Sequence, residues 1–181
     1  LIVDERARVR DAVLADLEAT NSIRSPRVVV RIDGPRIWIE GRELISFASN
    51  DYLGLAQHPA IAAAAVDAAK RWGWGVGASR AVTGTTTEHV ELEKRFGAWK
   101  GAHALSFASG YHANLGLLGV IARDATVLSD ALNHASIIDG LRLARAKVVV
   151  IPHRDVEAFE RALKLSSGRR LIVTESIFSV D

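Results

Sequence analysis

From residue 104 onward, short apolar runs alternate with helical patterns, and this rhythm constrains the fold more than any other feature of the chain. Residues 104–107, 126–128, 148–151 and 171–174 read as strands, and 111–122, 136–144 and 156–165 as the helices between them. One unit recurs roughly every 22 residues. Apolar strands joined by helices are buried on both faces, so the expected class is α/β with a mostly parallel sheet and flanking helices. Right-handed crossovers put all three helices on one face unless the strand order reverses.

The first hundred residues follow other patterns. Residues 3–19 carry Val9, Val13 and Leu17 at helical spacing. Runs at 28–30, 36–39 and 44–47, separated by Asp33-Gly34-Pro35 and Glu40-Gly41-Arg42, predict a small antiparallel meander. Pro59 opens an alanine-rich helix to about Trp72. A glycine-rich stretch from Gly73 to Gly84 follows. Thr85 with Glu88 then fits a capping box, ahead of a helix with Leu92, Phe96 and Trp99 on one face. The expected division is 1–48, a helix and meander, and 49–181, the first part of a larger domain. The closing strand-to-loop pattern suggests the N-terminal part of a longer polypeptide.

Composition removes several classes. There is no cysteine, which excludes a disulfide framework, a Cys-ligated zinc site and a thiol nucleophile in these 181 residues. There is no His-Glu-x-x-His and no Gly-x-Ser-x-Gly, so no metal site of the first kind and no standard hydrolase elbow is expected. The longest apolar run, 115–122, contains two glycines and is far short of a membrane span. The first twenty residues do not read as a secretory signal, and a cytoplasmic protein is expected. Net charge is +2, and the basic residues are scattered, so no nucleic-acid partner is expected.

In an open parallel sheet, ligands bind beyond the carboxyl ends of the strands. The residues there are Ser109-Gly110-Tyr111, then Ser129-Asp130 with Asn133-His134, then His153 and Asp155, then Glu175, Ser176 and Ser179. Ser109-Gly110-Tyr111 fits a tight strand-to-helix turn or an anion site at a helix N-terminus. Residues 73–77 follow a helix, which is the wrong context for a dinucleotide loop. His134 fits a satisfied core histidine, an N-cap neighbour, a base or an aromatic platform. The other five histidines, His153 among them, read as surface or capping residues. Glu175 fits a structural carboxylate or a site residue.

Five ordered blocks together resemble the α-oxoamine synthases, pyridoxal 5′-phosphate (PLP) enzymes of fold type I. They are Ser49-Asn50-Asp51-Tyr52-Leu53-Gly54-Leu55 with His58-Pro59; Gly77-Ala78-Ser79-Arg80 with Gly84, His89 and Leu92-Glu93; Phe107-Ala108-Ser109-Gly110-Tyr111 with Ala113-Asn114; residues 129–140 around Asn133-His134; and residues 174–181, in which Val180 departs from the usual Met. The resemblance runs from about Arg24 to Asp181.

It implies PLP as cofactor and the decarboxylative condensation of an amino acid with an acyl thioester. The backbone of Gly110 and Tyr111 would hold the cofactor phosphate. His134, the catalytic residue of this segment, would stack on the pyridine ring near the amino-acid carboxylate. Ser179 would lie by the phosphate or the ring's 3-oxygen, and Arg24, Asn50 and Glu175 would contact substrate. Asn50-Asp51-Tyr52 and Phe178 resemble the branch of biotin synthesis, which joins L-alanine to a pimeloyl group on CoA or an acyl carrier protein. The alternatives are glycine acetyltransferase-like or serine palmitoyltransferase-like members, or a non-catalytic member. The family's cofactor-anchoring lysine falls beyond residue 181, and none of the five lysines here sits at a matching motif. A segment ending there is expected to be inactive alone. A homodimer with the site at the subunit boundary is also implied, residues 74–87 contributing. Trp72, Trp74 and Val76 in a glycine-rich loop agree with that.

Overall fold

The computed structural model describes residues 2–179, with side chains from residue 5; Val180 and Asp181, the last positions of the final block, lie outside the described residues. The chain divides into two compact units, Leu1–Val76 and Gly77–Asp181.

The first unit opens with helix α1 (Ile2–Ala19), on which Val9 and Val13 remain exposed. The expected meander follows as β1 (Val29–Asp33), β2 (Arg36–Ile39) and β3 (Arg42–Ile45), antiparallel in that order. Glu40 and Gly41 both take positive φ, 50° and 74°, as the type I′ hairpin turn between β2 and β3 requires. Gln57 ties down the other turn, accepting from Gly34 N–H at 2.9 Å and donating to the Ile32 carbonyl at 3.0 Å. Asp51 holds the next loop by accepting from the amides of Leu55 and Ala56. Helix α2 (Pro59–Trp72) starts at Pro59 as expected, capped by His58, whose Nδ1 accepts from Ala60 N–H.

The second unit begins with α3 (Thr87–Lys100). Its capping pair differs from the expected one. Thr86, not Thr85, is the N-cap, and the Thr86 amide donates to Nδ1 of His89, not to Glu88. An imidazole nitrogen one position further along fills the acceptor role of the usual carboxylate. The apolar side chains of α3 are largely open, with Phe96 edge-on to Trp99 at 5.2 Å.

The strand expected at 104–107 does not form among the described residues. A strand needs a ladder partner for its amides and carbonyls. Here side chains take that part: Ser106 N–H donates to Glu93, and the Ser106 carbonyl accepts from Arg80.

After it, the alternation runs as read: α4 (Gly110–Ile121), β4 (Thr126–Asp130), α5 (Ala135–Leu143), β5 (Lys147–Ile151), α6 (Val156–Leu165) and β6 (Arg170–Val173). All three strands are parallel, in the order β5-β4-β6. The order therefore reverses after β5, and right-handed crossovers send α5 and α6 to opposite faces. Where adjacent strands send their connections to opposite faces, the carboxyl edge opens a crevice.

The core lies between α4, α5 and the central strand. Leu118, Ala122, Ala125, Val127, Ile137 and Leu141 form it, with Leu171 and Val173 packed against its edge. The two helices approach closely at Gly140. A Cβ there would stand 3.0 Å from the Asn114 carbonyl oxygen and 3.2 Å from Leu118. No helix among the described residues is long and apolar enough to cross a membrane.

Candidate functional site

The carboxyl edge of the parallel sheet gathers most of the expected site residues of the second unit. Helix α4 begins there at Gly110. Ser109 caps it, its hydroxyl accepting from His112 N–H at 3.2 Å, and its carbonyl takes Ala113 N–H. The amides of Gly110 and Tyr111 have no protein acceptor among the described residues. Two adjacent unpaired donors at the positive end of a helix dipole suit an anionic oxygen.

The Tyr111 phenol is drawn to the neighbouring helix, where it donates to Asp139. That hydrogen bond, with desolvation and the carboxylate's charge adding to it, raises the phenol above its usual pKa. Tyr111 thus stays protonated and contributes its amide, its side chain serving as a strut between α4 and α5.

His134 is the N-cap of α5 and is solvent-exposed. Its Nδ1 accepts from Ser136 N–H at 3.1 Å and lies 2.7 Å from Ser136 Oγ. An amide can only donate, so Nδ1 is the unprotonated nitrogen of the neutral ring and Nε2 carries the proton. Ser136 is itself held by Asn114 Nδ2 of α4 at 2.9 Å. The imidazole is thereby linked through one buried hydroxyl to the second turn of the helix that presents the free amides. Glu175, after β6, accepts from the His134 backbone N–H. The structure therefore places Glu175 behind the histidine as a support for the β4–α5 loop.

Beside them lies a linked pair, Asp130 and His153, whose places after strands were read from the sequence but whose partnership was not. Asp130, at the end of β4, is buried and accepts from Leu132 N–H, His153 Nδ1 and Arg154 N–H at 2.8, 2.9 and 3.1 Å. Burial pushes its carboxyl upward, but these three donors together outweigh it and hold the group below its usual value. His153 is half-buried, not a surface or capping residue, and packs edge-on to Phe178 at 4.6 Å. That contact ties the loop carrying Ser179 to the end of β5; Ser179 itself is exposed. The signal for the pair was positional: parallel pairing sets Asp130 opposite Ile151, two residues before His153. Asn133 adds a cross-link, donating to Ser129 Oγ and the Val173 carbonyl while its buried Oδ1 has no partner.

Arg24 and Asn50 belong to the first unit. Both are exposed, and Asn50 Oδ1 accepts from the Tyr52 hydroxyl at 3.4 Å. No group of three potential metal ligands occurs among the described residues.

The family model described as aminotransferase class I and II matches residues 42–181. This chain belongs to that family. Within the aminotransferase family, its resemblance to the α-oxoamine synthases is borne out. It is 45% identical over 178 residues to the 8-amino-7-oxononanoate synthase of Bordetella petrii, covering 94% of this chain and 45% of the relative. The enzyme of that name from Geobacter sulfurreducens is 48% identical over 172 residues, covering 93% and 44%. A solved serine palmitoyltransferase variant from S. paucimobilis, with a bound PLP-myriocin aldimine, superposes with a TM-score of 0.83 at 29% identity. That match covers 93% of this chain and 45% of the other. The aminotransferase-family chain thus has the PLP-dependent transferase fold expected from its motifs, and spans about 45% of the length of curated relatives.

Proposed function

We propose that this chain is part of an 8-amino-7-oxononanoate synthase, joining L-alanine to a pimeloyl thioester of CoA or a carrier protein with loss of carbon dioxide. Residues 49–181 are then the first part of the cofactor-binding domain. The observation that carries the reading is the pairing of two unpartnered amides, Gly110 and Tyr111, with a neutral imidazole, His134, braced from the same helix. Curated synthases of that name at 43% to 49% identity favour it over the serine palmitoyltransferase alternative.

These residues fit PLP. The α4 amides suit its phosphate, the exposed imidazole of His134 suits the face of its ring, and Ser179 lies on the adjoining loop. When bound, PLP supplies an electron sink for charge developing at the amino-acid α-carbon. His134 offers Nε2–H to a substrate carboxylate oxygen and fixes the direction of the α-carbon bonds. Ser136 and Glu175 hold that ring and its backbone in place. Arg24 and Asn50 are assigned to substrate contact. The full protein is expected to be a cytoplasmic homodimer, with Trp74, fully exposed here, at the boundary.

The test is turnover of full-length protein with PLP. Alanine plus pimeloyl-CoA should release CoA and carbon dioxide, whereas glycine with acetyl-CoA and serine with palmitoyl-CoA should not. Preferred turnover of either other pair would replace this assignment. The variant His134→Ala should retain some cofactor and lose most turnover.

A further inference from the structure

We infer that Glu93 is a positioning residue for the α4 anion turn, acting through Ser106 and Arg80; this rests on the reading of that turn as the phosphate site. Segment 102–109 leads into the turn, and side chains fix its path at Ser106. Glu93, on α3, does so with a single carboxylate. Its Oε1 accepts from Ser106 N–H at 2.8 Å, from Ser106 Oγ at 2.8 Å and from Arg80 Nη1 at 2.6 Å. Arg80 closes the clasp, donating to the Ser106 carbonyl at 3.2 Å and to Ser106 Oγ at 2.8 Å. Arg80 also donates to Thr85 Oγ1 at 3.4 Å, so the glycine-rich loop is held in the same network.

Both backbone groups of Ser106 are thereby fixed. One residue later the chain is fixed again. Phe107 sits where a side chain on Gly116 would be, since a Cβ there would meet its ring at 3.0 Å. Ser109, the N-cap, follows two residues on. The clasp and the Phe107 contact thus set the approach of the chain to the amides of Gly110 and Tyr111. The carboxylate remains ionised throughout the neutral range, because Arg80 first and then the Ser106 donors hold its pKa at about 2.

The inference is tested by the ratio of PLP affinity to pyridoxal affinity in the full-length protein, read by absorbance titration. Pyridoxal lacks only the phosphate, so the ratio reports the anion turn. Wild type should prefer PLP. Glu93→Gln should reduce that preference by about tenfold or more, the scale on which supporting contacts behind a ligand-holding group act. Glu91→Gln, a charge change on the same helix where Glu91 pairs with Arg95 of that helix, should leave it unchanged. If wild type shows no preference, the phosphate reading itself fails. If wild type prefers PLP and Glu93→Gln keeps the full ratio, the positioning role alone is overturned. Should Glu93→Gln not fold, Arg80→Gln breaks the other half of the clasp, removing the guanidinium's bonds to Glu93 and to the Ser106 carbonyl. An unchanged ratio in that variant overturns the role, and a lowered one supports it.

Discussion

Replacing Gly140 with alanine should weaken the fold, although alanine is the better helix former. In the interior of an exposed helix the exchange gains about 1 kcal/mol. At Gly140 the new methyl would lie 3.0 Å from the Asn114 oxygen and 3.2 Å from both Cβ and Cδ1 of Leu118. Favourable carbon contacts begin near ~3.5 Å, so several neighbours must yield by a few tenths of an ångström. None can do so cheaply. Asn114 O belongs to the backbone of α4, and Leu118 is 4% exposed within the core. Overpacking of this kind costs about 1–3 kcal/mol, which leaves a net loss of about 1 kcal/mol. Gly119, on α4, has nothing within 4 Å of its Cβ position. Gly119→Ala should therefore stabilise by up to about 1 kcal/mol. Urea denaturation of both variants, followed by circular dichroism, reads the contrast. If both variants stabilise alike, the two helices do not meet at Gly140 as described.

Other perturbations probe separate parts of the molecule. Glu93 titrates at about 2 in the fold against an ordinary 4.5, so its contribution is complete above 4.5 and is lost as pH falls toward 2; an acid unfolding series should show a shallower loss over that window in Glu93→Gln. Leu141→Ala empties a position that is 2% exposed and should cost about 2–5 kcal/mol in the same denaturation assay. Asp155 caps α6 by accepting from Ala158 N–H at 2.8 Å, and Asp155→Ala should lower stability by about 1 kcal/mol.

The second unit was legible from residue 110 onward because its signals are local. Helical periodicity, cap residues and apolar runs fixed α4 to β6 within a residue or two. What failed depended on partners. The run at 104–107 has strand composition, but a ladder requires a neighbour that no local pattern encodes, and Glu93 and Arg80 took its backbone groups instead. Thr85 and Thr86 are chemically alike, and the choice between them fell to His89 as an acceptor. At the candidate site, His134 was visible from its place after β4, and the Gly110-Tyr111 turn from its place at a helix start. The roles of Ser136, Asn114 and Asp139 were not, because each joins α4 to α5, and side-chain bridges between helices leave no periodic trace. His153 was misread for a similar reason: its buried partner Asp130 lies at the end of β4, a strand remote in sequence from the loop that carries His153.

The placement of β4 between two later strands has a consequence for how the molecule assembles. The earliest strand of this sheet to leave a ribosome is its keystone, since β5 and β6 each touch it and not one another. Closing β6 onto β4 spans about twice the chain that β5 must span, which adds about 0.6 kcal/mol of closure entropy. The loop bearing Glu175 and Ser179 follows that last flank, so the support beneath His134 leaves the ribosome after β4, β5 and β6 have all emerged.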